Sequence, residues 1–242
     1  VPVNVAFNNQ ETLGKLVQRL STQLEPDTLA LNQAFTNEVF LQENGLTEET
    51  ALTLFIPNTY EFYWNTSAKK IADKMAKEHK KFWTNERLEK AKALNMTPAQ
   101  VYTLASIVHK ETVKADERPR VAGAYLNRIN QDMPLQADPT VIYAIKETSG
   151  DFDQVIKRVG GSNLFVKSPY NTYINKGLPP GPIAMPDISA IDAVLNAEKH
   201  YYIYFCADPN RPGYHAFETT YEAHMVNARK YAEWVNKLGI KL

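Results

Sequence analysis

The 242-residue sequence predicts an α+β protein in two unequal parts. Three observations carry this reading. Residues 1–56 pattern as strand, helix, helix, strand, and a lysine-rich helical stretch follows. From Thr97 two patterned helices give way to a turn-, tyrosine- and proline-rich region ending in a hairpin. Helices and strands gathered in separate runs, rather than strictly alternating, mark α+β architecture. With 44% hydrophobic and 22% charged residues, the chain has core enough for one large domain or two modest ones.

The first strand is read from Val1, Val3, Val5 and Phe7, the period of a half-buried strand, which Asn8-Asn9-Gln10 ends. Leu13, Leu16, Val17, Leu20 and Leu24 keep helical spacing, and Pro26-Asp27 restarts the chain into a second helical stretch through Phe35 and Val39 that Gly45 closes. The apolar run Leu52–Ile56 before Pro57 reads as the returning strand. From Ser67 to Trp83 a helix carries Lys69, Lys70, Lys74, Lys77, Lys80 and Lys81 around a stripe of Ile71, Met75, His79 and Phe82. Acidic residues elsewhere offset these lysines, so they read as a solvated face. Thr97-Pro98-Ala99-Gln100 is a capping box with proline at the first helical position, opening a helix through Glu111, and another runs from about Glu117 to Ile129. Tyr201–Cys206 and Tyr214–Phe217 read as strands joined by the turn at Asp208–Gly213.

Twenty-seven Lys and Arg balance 27 Asp and Glu, which removes any global attraction to nucleic acid or anionic lipid. Cys206 is the lone cysteine, excluding an internal disulfide or a cysteine-based zinc cluster. His215 and His224 stand without acidic or cysteine partners in ligand spacing, so no metal is expected. No stretch approaches the roughly 18 apolar residues of a membrane span, and no signal segment is present. The chain opens inside a strand pattern, which suggests that an upstream segment has been removed.

The chemistry is expected at Glu111. On a helical wheel from Val101 it falls between Leu104 and Ile107, on the apolar flank of its helix, while Lys110 turns toward water. A carboxylate among Leu, Ile and Val loses hydration, which raises its pKa and lets it act as a general acid. By itself the same pattern also fits a salt bridge.

The ordered motifs decide between these. Leu104-Ala105-Ser106-Ile107-Val108-His109-Lys110-Glu111-Thr112 is followed by Val121–Arg128, Leu135-Gln136-Ala137-Asp138-Pro139-Thr140-Val141-Ile142-Tyr143, Ser168-Pro169-Tyr170-Asn171-Thr172-Tyr173 and Gly177–Ile183. Tyr204-Phe205 and His215-Ala216-Phe217 complete the order, and Leu54–Glu61 precedes it. Together they strongly resemble the MltG/YceG-like family of endolytic murein transglycosylases, over nearly the whole chain. The resemblance implies a LysM-like module at residues 1–66, a helical connector at 67–96 and a mixed α+β YceG-like catalytic domain at 97–242. It implies cleavage of the β-1,4 bond between N-acetylmuramic acid and N-acetylglucosamine with 1,6-anhydromuramoyl ends, and it aligns the catalytic glutamate with Glu111. It also implies an N-terminal membrane anchor, action on the outer (periplasmic) face of the inner membrane, and work near the cell-wall synthesis complex. His109 stands where an acidic or amide residue is expected; at about 160° from Glu111 on the wheel, it should not touch the acid.

One carboxylate can suffice because the muramoyl C6 hydroxyl is the nucleophile. Glu111 can first protonate the leaving oxygen and later accept the hydroxyl proton, with no cofactor. Gln136, Asp138, Tyr143, Tyr170, Asn171 and Tyr173 supply the aromatic plates and polar partners of a saccharide groove. Asp138 also fits a turn-starting role, since Asp-Pro favours turns. The Leu178–Pro182 segment fits a groove wall and a plain connector equally. Two other functions stay open: a noncatalytic peptidoglycan-binding scaffold, and a muramidase pairing Glu111 with Asp138 or Glu147.

Overall fold

The computed structural model describes residues 2–238. Strand β1 (Pro2–Phe7) pairs antiparallel with β2 (Asn58–Tyr63), Pro2 opposite Tyr63 and Phe7 opposite Asn58. Val1 of the expected strand lies outside the described residues. Between the strands run helices α1 (Leu13–Ser21), α2 (Thr28–Phe35) and α3 (Glu38–Glu43). Thr12, Asp27 and Asn37 begin them, each side chain accepting from the backbone N–H three residues on. Asn37 is the reason that the single helical stretch expected after Asp27 is two helices.

The returning strand is not at Leu52–Ile56. Ala51–Leu54 form a 3₁₀ turn, and residues 51–56 are buried on every side. A fully buried apolar run looks alike in strand and turn. The true strand alternates, burying Tyr60 and Phe62 while Asn58, Thr59, Glu61 and Tyr63 stay exposed.

Helix α4 (Ala68–Phe82) presses Ile71, Ala72 and Met75 into the same core as Val5, Phe7, Leu16, Leu20, Leu31, Phe35 and Phe55. Its lysines are exposed except the half-buried Lys74, and Lys69 pairs with Asp73 and Lys81 with Glu78, as a solvated face should. A second core gathers around α6 (Pro98–Glu111), which buries every residue from Val101 to Val108. Helices α5 (Asn85–Ala93), α7 (Arg118–Asn130), α8 (Asp138–Ser149) and α9 (Ile188–Leu195) all pack against it. The capping box forms as expected: Thr97 Oγ1 accepts from Gln100 N and Gln100 Oε1 from Thr97 N. Asp138-Pro139 opens helix α8 where the sequence suggested a turn; proline at the start of a helix forfeits only an N–H that has no intrahelical partner.

A hairpin of β3 (Tyr204–Ala207) and β4 (His215–Glu218) sets Phe205 opposite Phe217, and α10 (Tyr221–Lys237) packs on it. The Pro-rich segment, open between groove wall and connector, runs largely buried between the cores. Gly181 lies against the Glu49 carbonyl, Ser106 Oγ accepts from Ile183 N at 3.1 Å, and Gln10 O accepts from Met185 N at 2.8 Å. The side chain of Met185 is itself part of the first core. No helix among the described residues is long and apolar enough to cross a membrane.

Candidate active site

Glu111 is the last residue of α6, and Thr112 turns the chain to extended backbone at once. A tight end of this kind leaves the glutamate at the rim of the core. Tyr125, fully buried on the facing side of α7, donates its hydroxyl to Glu111 Oε2 at 2.9 Å. Burial pushes the Glu111 pKa up; the Tyr125 bond and nearby His215 oppose this, while the charges of Asp138 and Glu117 add to it. The negative end of the α6 dipole also disfavours a carboxylate here. The site therefore holds a carboxyl that retains its proton above the ordinary glutamate range, with one fixed hydroxyl to receive the anion.

Glu117, at the N-terminus of α7, is only 5% exposed. Burial would raise its pKa, but bonds to His215 outweigh it and the net shift is downward. Its Oε1 accepts from His215 N at 2.7 Å and its Oε2 lies 2.8 Å from His215 Nδ1. Phe205 packs edge-on to both Tyr125 and His215, with ring centroids 5.5 Å and 5.4 Å away. Glu111, Tyr125, Phe205, His215 and Glu117 thus line one wall.

The opposite side comes from the start of α8 and the loop around residue 173. Asp138 Oδ1 accepts from the Tyr173 hydroxyl at 2.6 Å; the charge of Asp138 acts on Glu111 and Tyr125, and that of Glu111 acts on the Tyr173 hydroxyl. Gln136 sits at positive φ (51°), exposed, with its N–H on Thr172 O. Arg128, 7% exposed, fixes this loop: Nη1 donates to Pro134 O, Leu135 O and Gln136 Oε1, and Nε to Ile203 O. One guanidinium ties the Gln136 turn to the hairpin strand.

The structure thus brings Glu111, Gln136, Asp138 and Tyr173 together and sets the other three expected residues apart. Asn171 is fully buried; its amide donates to Leu164 O and Val166 O, and its Oδ1 accepts from Tyr173 N. It shapes the loop that presents Tyr173. Tyr143 and Tyr170 pack against each other with their rings tilted by 44° and centroids 4.6 Å apart, and Tyr143 lines a small cavity with Lys110, Lys146 and Glu11, on the face of α6 where Lys110 points. Burial raises both hydroxyls, Tyr170 to about 12. His109 packs toward α9, accepting from Asp187 N at 3.3 Å, and away from the acid as expected.

Sequence reasoning took Tyr125 for an inward-facing helix residue within a motif, and His215 for a motif residue and a rejected metal ligand, and gave neither a role in the site. Arg128 was noted only as the end of the Val121–Arg128 motif, and Glu117 carried no signal of its own, its partner His215 being 98 positions away in sequence. Among the described residues no group of three or more His, Cys, Asp or Glu could hold a metal ion.

Comparison with known proteins accords with this geometry. The YceG-like family model matches residues 1–230. An endolytic murein transglycosylase of Bacillus subtilis is 33% identical over 213 residues, covering 88% of this chain and 54% of that protein. One from Streptococcus pneumoniae D39 is 34% identical over 152 residues, 63% of this chain and 27% of that protein. The chain therefore spans about half the length of the first relative and about a quarter of the second. A crystal structure of a YceG-like protein from Listeria monocytogenes superposes with TM-score 0.76 at 28% identity, over 93% of this chain and 75% of that one. From its ordered motifs to its backbone, the chain belongs to the YceG-like family.

Proposed function

We propose that the chain cleaves peptidoglycan as an endolytic lytic transglycosylase, breaking the muramoyl β-1,4 bond to N-acetylglucosamine and leaving a 1,6-anhydromuramoyl end. The observation that carries this is the carboxyl of Glu111, half-buried at a helix end, raised in pKa and met by the Tyr125 hydroxyl. Such a group keeps its proton to higher pH than an ordinary glutamate and can donate it to the leaving oxygen. The muramoyl C6 hydroxyl then closes on its own anomeric carbon, so no water need be positioned. The names of the Bacillus and Streptococcus relatives support murein as the substrate.

The division into residues 1–66, 67–96 and 97–242 goes with this reading. The antiparallel pair of β1 and β2, with the helices α1, α2 and α3 between them in the chain, supports a LysM-like module that positions glycan rather than doing chemistry. Gln136, Asp138 and Tyr173 are the sugar contacts that the geometry favours. Action outside the cytoplasmic membrane on an anchored chain, beside the cell-wall synthesis machinery, is the setting that fits the substrate.

A two-carboxylate muramidase is the second reading, because the charge of Asp138 acts on Glu111. Product mass decides: hydrolysis adds a water that the anhydro product lacks. Anhydromuramoyl ends from purified glycan strands are expected; reducing muramic ends would overturn the proposal.

A pH test follows from Tyr125, whose hydrogen bond favours ionised Glu111. Tyr125→Phe removes that bond, so the Glu111 pKa should rise further. Activity that declines as pH rises through this pKa should then decline at higher pH than in wild type. A profile unchanged, or moved to lower pH, would argue against Glu111 as the acid.

A further inference from the structure

We propose that His215, held by Glu117, is a second acid–base residue of this site, taking the proton of the muramoyl C6 hydroxyl after Glu111 has protonated the leaving oxygen. The inference rests on the transglycosylase reading of Glu111.

The two carboxylate oxygens of Glu117 grip the backbone N–H and the imidazole Nδ1 of His215 together, and the Thr112 hydroxyl also bonds the carboxylate. Burying a carboxylate is costly unless it is paired, and this grip leaves the ring little freedom to turn. With Nδ1 donating to a carboxylate, Nε2 is the acceptor of the neutral ring. Nε2 makes no hydrogen bond among the described residues, although the His215 side chain is only 14% exposed. The ring is one aromatic away from the Tyr125–Glu111 bond, across Phe205, and its charge reaches the Glu111 carboxyl. The charged groups facing it are Glu117 from α7 and Glu111 from α6. Its neighbour Tyr214 is engaged by Asp116 and Lys114, and Arg120 lies over Phe217 on the same hairpin. His224 of α10 stacks instead on Tyr204, at the other end of β3.

The steps balance. The bond from muramoyl C1 to the glucosamine O4 breaks as the Glu111 proton moves to O4. The bond from C1 to O6 forms as the O6 proton moves to His215 Nε2. The resulting imidazolium is held by Glu117, and its proton returns to the newly ionised Glu111. Water is neither consumed nor released, and Glu117 acts only by orienting and stabilising the ring, the role a buried carboxylate plays beside a catalytic histidine elsewhere.

The test uses the purified chain and glycan strands stripped of stem peptides, with anhydromuramoyl ends counted by mass spectrometry. His215→Gln is expected to lower kcat by about 10²–10⁴-fold, the range of one acid–base group, with KM little changed. Glu117→Gln presents an N–H to Nδ1, forces the proton to Nε2 and should cost a similar factor; the double variant should be no worse than either single one. Should either variant unfold, His215→Ala supplemented with free imidazole is the second measure. Recovery that grows with the concentration of unprotonated imidazole supports the role. A folded His215→Gln protein within about three-fold of wild type, or His215→Ala without imidazole recovery, overturns it. If the wild type forms anhydro ends and Glu111→Gln does not, the first reading stands whatever His215 does. Reducing ends from the wild type sink both.

Discussion

Glu111→Gln is expected to cut the formation of anhydromuramoyl ends by at least the ~10²–10⁴-fold typical of one general acid, while glycan binding persists. Glutamine keeps the length of the side chain and can still accept the Tyr125 hydroxyl, so α6 and α7 should pack as before. Only the transferable proton is gone. Stability gives an independent reading of the same group. Because the folded pKa of Glu111 is raised, its favourable contribution is complete below the unfolded pKa and is lost as pH rises through the folded one. Glutamine never ionises, so the variant should be at least as stable as wild type at neutral pH, and the difference should vanish in acid. Thermal melts at both pH values check the sign. A folded variant that cleaves glycan at near wild-type rate would remove Glu111 from the mechanism.

Arg128→Ala should have the largest effect on stability. The buried guanidinium donates to three backbone carbonyls and to Gln136 Oε1, bridging α7, the loop before α8 and the hairpin strand. Leaving several buried acceptors without donors costs about 1–3 kcal/mol each, so a loss of roughly 3 kcal/mol or more is expected. For a chain of this size that lowers Tm by on the order of 10 °C. Activity should fall as well, because the turn at Gln136 leads directly to Asp138. Arg128→Lys should recover only part of both, since an ammonium lacks the planar fork that reaches two loops at once. Calorimetry on the two variants checks the order. An Arg128→Ala protein with unchanged Tm would mean that water satisfies those carbonyls.

The helices that carry the acid were legible because their signals are local. The Thr97–Gln100 capping box, the apolar period through Val108 and the placement of Glu111 on the apolar flank all lie within fifteen residues. The returning strand was missed because Leu52–Ile56 outshone it, although Tyr60 and Phe62 show the true period two. Helix α8 was missed because Asp138-Pro139 reads equally as a turn, and α9 and α10 were hidden in a stretch dominated by prolines and tyrosines. The aromatic and amide residues of the motifs were treated alike, yet burial separates them: the Tyr173 hydroxyl bonds Asp138, Asn171 is buried holding the loop that presents Tyr173, and Tyr170 is buried against Tyr143. No local pattern could have paired Glu117 with His215 across 98 positions.

The Met185 side chain sits in the first core, and Ile56 and Trp83 sit in the second. Tyr102 of α6 donates its hydroxyl to Phe55 O at 2.9 Å across the same seam. Each core thus holds residues from the other's stretch of chain, and neither is complete until both have formed. The expected consequence is one cooperative melting transition. Trp83 fluorescence in the second core and exchange protection of the amides of β1 in the first should be lost together. Pulling force applied along a tethered glycan at one end of such a molecule would be shared by the whole of it rather than spent on opening a hinge.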